Sequence, residues 1–146
     1  LLSFGDFEMF DGGDLTWNVE SKLVCPFNLV GPVDVYDVNH HGLEVSNNPL
    51  LVRALSPTVA VMSNGVTKGC GPETITTLKS AATIQAIYQI HKNLRAGEEG
   101  NTAPAQIANL ERECDAHFIQ VSVESSGESY SVAIPGRDHR RTFHTR

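Results

Sequence analysis

Short apolar runs broken by glycine, proline and asparagine fill the chain, and most follow the two-residue alternation of strands. In "LLSFGDFEMF" two strands flank Gly5-Asp6, a pair suited to a tight turn whose first position takes positive φ. The second strand enters "DGGDLTWNVESKLVCP". There Gly12 and Gly13 allow a sharp bend, Asp14 or Thr16 caps a helix reaching about residues 23–24, and Pro26 ends it. A Gly31-Pro32 turn opens the strand "GPVDVYDV", and Asn47 or Asn48 caps a short helix "PLLVRALS" with Pro49 near its first position. "TVAVMS" reads as a third buried strand, "NGVTKGCGP" as a glycine-rich loop and "ETITTLKSAA" as a helix. "TIQAIYQIHKN" suits a strand and a helix end equally, and a helical piece is expected around residues 105–110. "HFIQVSVESSGESYSVAI" alternates as a hairpin around Ser-Ser-Gly. Strands separated by single helices over the first eighty residues predict an α/β layered fold.

Composition narrows this little. The 146 residues suit one domain with a buried core, and 40% hydrophobic with 19% charged residues is ordinary for a globular chain. No apolar run approaches the length of a membrane span. A net charge of −6 gives nucleic acid no general attraction. The one basic cluster, "RDHRR", reads as a solvated turn and strand edge, with His139 and His144 in a frayed end. Three cysteines, Cys25, Cys70 and Cys114, show no Cys-x-x-Cys spacing and read as thiols or one optional disulfide. The chain opens inside a strand-like segment without an initiating methionine, which predicts a fragment or processed product.

The chemistry worth weighing sits where two strands end. Asp14 follows one strand, and His40-His41-Gly42 follows the next, with glycines or loops after both. A carboxylate and an imidazole at the same end of neighbouring strands suit zinc, manganese or iron. The plain alternative is a helix-capping Asp14 beside histidines that bond loop backbone. Strand alternation sends His41 to the face opposite His40. Asp11 shares a strand face with Phe7 and Met9 and reads as a supporting or packing position. Ser46 reads as a loop hydrogen-bonder, and His91 and His117 as structural. There is no Gly-x-Ser-x-Gly elbow, P-loop or Gly-x-Gly-x-x-Gly.

In order and spacing these segments resemble the C-terminal half of the metallo-β-lactamase fold. They are most similar to the branch containing the nuclease-like domain of the bacterial DNA-uptake competence channel. The resemblance rests on the Gly13-Asp14 step in "FEMFDGGDLTWNVE", on His40-His41-Gly42 in "VDVYDVNHHGLEVSNN" and on "PLLVRALSPTVAVMSNG". It covers about residues 1–80 well and the remainder loosely. It implies half of an αββα sandwich: a mixed sheet with helices on one face, and an apolar other face left open for association. It also implies zinc, one or two ions in the full-length protein, or another divalent metal. Asp14 would be the carboxylate able to bridge metals, His40 the late histidine ligand and His41 the lesser ligand. The implied activity is a metal-dependent hydrolase acting on an ester, amide or phosphodiester. Export signals common in that branch imply the periplasm or exterior, with the cytoplasm left open.

Two departures stand beside this. The family's His-x-His-x-Asp-His motif belongs to the preceding half, and no His-x-His occurs here. Cys70-Gly71-Pro72 occupies the loop where the competence-channel relatives carry a Tyr-x-His-Pro-like step. The rival reading is a non-catalytic binding or structural domain that keeps the fold. With two protein ligands, residues 1–146 alone are expected to bind zinc poorly and to lack useful turnover.

Overall fold

The structure, a computed structural model, describes residues 1–146. Its main sheet has six strands in chain order: β1 (Leu2–Phe4), β2 (Phe7–Asp11), β3 (Val35–Asp37), β4 (Val59–Met62), β5 (Ala86–His91) and β6 (Ile107–Asn109). β1 and β2 form an antiparallel hairpin across Gly5, whose φ is +59°. From β2 to β6 every pairing is parallel, so connections must cross over the sheet. Three of them carry helices: α1 (Trp17–Val24), α2 (Pro49–Leu55) and α3 (Pro72–Ser80). Thr16 is the residue preceding α1, and Asn48 caps α2 by accepting the Leu50 N–H at 2.9 Å. The expected α/β fold, a mixed sheet with helices on one face, is what the chain adopts.

The alternation read in the strands divides two cores. Phe10, Tyr36, Ala60, Met62 and Ile87 face the helices and meet Leu51, Val52, Leu55, Ile75 and Leu78. Phe7, Val35, Val59, Val61, Ala86 and Tyr88 face the other way. That second face is not open. A separate antiparallel sheet of β7 (Gln120–Val123), β8 (Ser129–Ile134) and β9 (His139–His144) covers it with Tyr130, Val132, Ile134 and Phe143. The expected exposed apolar face is therefore corrected: the chain supplies its own cover, giving helices, mixed sheet and antiparallel sheet in three layers.

Two local expectations also change. Residues 105–110 form a 3-10 turn (Pro104–Gln106) and the edge strand β6, not an α-helix. Ile107, Ala108 and Asn109 are all buried, and the place beside β5 decides in favour of pairing. The basic cluster is the turn and strand edge expected, Arg137 in a 3-10 turn and residues 139–141 on β9, but His139 and His144 lie within that edge strand and not in a frayed end. Its Phe143 stacks on Tyr130 at 5.4 Å, and Arg141 lies 4.7 Å over the Phe143 ring while its guanidinium bonds the Gln85 carbonyl. Arg140 and Arg141 stay exposed on a strand whose buried member is Phe143. No helix is long and apolar enough to cross a membrane.

Candidate metal centre

β2 and β3 end side by side, with Asp11 paired to Asp37 in the parallel register. Parallel strands release their loops from the same end, and that end is where open α/β sheets gather ligands. Here the loops carry Gly12-Gly13-Asp14 and Asn39-His40-His41-Gly42. They are tied together: Asn39 Oδ1 accepts the Gly12 N–H at 3.2 Å, and the His40 N–H donates to the Gly13 carbonyl at 2.9 Å. A cleft of about 100 Å³ opens between them, lined by Asp11, Asp14, Asp37, His40, His41 and Ser63 together with Gly13 and Val38.

Within it His40 Nε2 lies 3.9 Å from Asp14 Oδ2, with His40 half-buried and Asp14 exposed. His40 Nδ1 lies 3.2 Å from Ser46 Oγ, and His41 Nδ1 lies 3.0 Å from the Ser63 carbonyl oxygen. The two imidazole centroids are 6.3 Å apart. Asp14 and His40, paired by the sequence reading, are thus brought together. For His41 it is the strand-alternation argument that is corrected. β3 stops at Asp37, and His40 and His41 occupy a 3-10 turn, so strand alternation does not govern them. Both residues line the same cleft, although His41 does not join Asp14 and His40 in a group of three donors.

The backbone that achieves this is strained. His40 (φ +54°), His41 (φ +60°) and Gly42 (φ +78°) are three successive left-handed residues, and each non-glycine there costs about 1–2 kcal/mol. Four hydrogen bonds hold the turn: Leu43 N–H to the His40 carbonyl, Cys70 N–H to the His41 carbonyl, Gly71 N–H to the Gly42 carbonyl, and His40 N–H to Gly13. The glycine-rich loop thereby becomes the far wall of the turn. Such strain persists only where surrounding structure over-determines it, and it clusters at functional sites.

Sequence reasoning missed the buried support below. Glu20 of α1 is fully buried, and its carboxylate accepts Asn39 Nδ2 at 2.7 Å, the Asn47 N–H at 2.8 Å and the Asn48 N–H at 2.7 Å. Asn47 in turn accepts the Tyr36 hydroxyl at 2.8 Å and donates to the Asn39 and Leu43 carbonyls. One carboxylate therefore fixes both ends of the histidine loop. The available signal was a lone Glu on the apolar side of a short helix.

Electrostatically the cleft suits a cation: three carboxylates and two imidazoles line it, with no Lys or Arg. Burial, with Asp11 alongside, pushes the Asp37 carboxyl up to about 6, partly opposed by His41. The donor types match zinc, but tetrahedral donors about 2.0–2.1 Å from one ion stand roughly 3.4 Å apart, so Asp14 and His40 at 3.9 Å must draw closer to share one. Yet the chain gathers no group of three or more His, Cys, Asp or Glu side chains placed to hold one ion. The residues fit two corners of a zinc site. The three cysteines are all free, and the Cys70 thiol, pushed up to about 11 by burial, is not a ready thiolate. Compared with family models, curated proteins and solved structures, the chain finds no match in any of the three.

Proposed function

We propose that this chain is the C-terminal portion of a metallo-β-lactamase-like, metal-dependent hydrolase. The observation that carries the reading is the 3.9 Å approach of Asp14 Oδ2 to His40 Nε2 across loops whose strained backbone is held by hydrogen bonds. The resemblance in "DGGD" and "NHHG" supports the same pair of residues. Asp14 and His40 would hold zinc or another divalent ion, with His41 of the same turn the lesser candidate. When bound, such an ion supplies Lewis-acid activation of water towards an ester, amide or phosphodiester.

The protein's own part is placement. Exposed Asp14 presents a carboxylate at the cleft mouth, free to orient a donor or a water. His40 is held from behind by Ser46 and His41 by the Ser63 carbonyl, so neither ring swings freely. Asp11 and Asp37 add negative charge behind the pair. Catalytic zinc takes about three protein donors and one open position, so the reading requires donors beyond Asp14 and His40. The resemblance places them in a preceding His-x-His-x-Asp-His segment. The test is the coding sequence upstream of Leu1, followed by metal content and hydrolysis of ester, lactam and phosphodiester substrates by its product. The motif with stoichiometric metal and turnover lost in Asp14→Ala supports the hydrolase. A preceding half with those histidines replaced supports the non-catalytic binding domain instead.

A further inference from the structure

Two adjacent histidines share one cleft but face chemically different partners behind their rings. The Ser63 atom 3.0 Å from His41 Nδ1 is a backbone carbonyl oxygen, which only accepts. A hydrogen bond there requires a proton on Nδ1 and leaves the lone pair on Nε2. The atom 3.2 Å from His40 Nδ1 is the Ser46 hydroxyl, which both donates and accepts. Ser46 is buried, and its Oγ has no other hydrogen-bond partner in the chain. Donating to His40 Nδ1 is thus the way its O–H is satisfied, as a buried donor must be. His40 Nε2 then carries the proton and turns it towards the Asp14 carboxylate 3.9 Å away, the favourable sign of charge.

We propose that the metal-free chain holds its adjacent histidines in opposite tautomers, His41 as Nδ1–H and His40 as Nε2–H, with Ser46 the positioning residue for His40. The inference rests on the reading of this cleft as a metal centre. A divalent cation drawn to Asp14 would meet an N–H at His40 Nε2, whereas His41 Nε2 keeps its lone pair. For His40 to bind, its Nε2–H bond breaks and an Nδ1–H bond forms, solvent carrying the proton, and the Ser46 hydroxyl rotates from donor to acceptor. A hydroxyl permits both states, whereas a carbonyl permits one. Trp17 secures the device: its indole N–H donates to the Ser46 carbonyl at 2.8 Å, and its backbone N–H donates to the Val45 carbonyl at 3.0 Å.

Long-range proton–nitrogen correlation of the imidazoles reads each tautomer directly in the 146-residue chain. The expected spectrum assigns Nδ1–H to His41 and Nε2–H to His40. Ser46→Ala should shift His40 towards a tautomer mixture while His41 keeps its pattern, and Ser46→Thr should restore His40. A common tautomer in the wild-type chain, or rapid averaging at His40, overturns the inference without reference to any variant. An unchanged His40 in a folded Ser46→Ala overturns the role of Ser46. Zinc titrated into the same sample separates the two claims. Zinc shifting cleft resonances from a common starting tautomer sinks the inference and leaves the metal reading standing. Opposite tautomers, with His41 Nε2 responding before His40, support both.

Discussion

Asn39 Nδ2 donates to the fully buried Glu20 carboxylate at 2.7 Å, and through that bond helix α1 holds the residue next to the histidine pair. The same carboxylate accepts two backbone N–H groups at Asn47 and Asn48. Glu20→Gln keeps one acceptor oxygen and turns an amide NH2 towards these donors, leaving at least one unpaired at a cost of about 1–3 kcal/mol. Glu20→Ala strands all three and should cost about 3 kcal/mol or more. In thermal melts the order should be wild type, then Gln, then Ala. A Glu20→Ala protein as stable as wild type would contradict the supporting role.

Gly42 and Gly13 both sit at positive φ, +78° and +58°, and differ in what a side chain would meet. A Cβ on Gly42 would fall 2.6 Å from Met62 Sδ and 3.0 Å from the Cys70 nitrogen, whereas one on Gly13 meets nothing within 4 Å. Gly13→Ala should therefore cost only the left-handed conformation, about 1–2 kcal/mol. Gly42→Ala adds overpacking, typically about 1–3 kcal/mol more. Denaturant titration measures the gap, and equal midpoints for the two variants would refute it.

Asp37 sets a pH dependence whose sign is fixed. Its ordinary value of 3.8 rises to about 6 in the folded chain, chiefly by burial and next by Asp11. Between those values the folded state binds the extra proton, so stability falls as pH rises. The contribution is fully present below about pH 4 and lost once pH passes about 6. Asp37→Asn should flatten this slope and be more stable than wild type near pH 7. Burial also raises Asp34, so part of the slope should survive the substitution. Denaturation midpoints that rise from pH 4.5 to 7 in the wild-type chain would reverse the claim.

Much of the fold was legible because period-two runs such as "VDVYDV" and "TVAVMS" state both their type and their buried faces. Asn48-Pro49 marked its helix start through cap chemistry. Both faces of β3 and β4 are apolar, but sequence could not say what covers the second one; only tertiary pairing brings residues 120–144 back over residues 35–61. "RDHRR" read as a turn and strand edge, but the continuation of β9 to His144 did not, since a strand with one buried member, Phe143, lacks a clear alternation. At the site, the Asp14 and His40 pairing followed from two strand ends being neighbours. The position of His41 did not, because a left-handed turn replaces the strand just where its face would have been assigned. The role of Glu20 was not readable for a similar reason: a buried carboxylate is justified only by its donors, here 19, 27 and 28 residues further along the chain.

In the proposed centre Asp14 and His40 meet one divalent cation, with His41 beside them in the turn. Zinc titrated into the isotope-labelled 146-residue chain, with resonances followed residue by residue, tests it most directly. Weak, rapidly exchanging binding is expected, with shifts centred on Asp14, His40 and His41 and spreading to Ser46 and Ser63. Those shifts should vanish in Asp14→Ala and in His40→Ala, without loss of the fold. Zinc-dependent shifts centred on the cysteines or on His117 and His139, or none at the cleft at any zinc concentration, would contradict it.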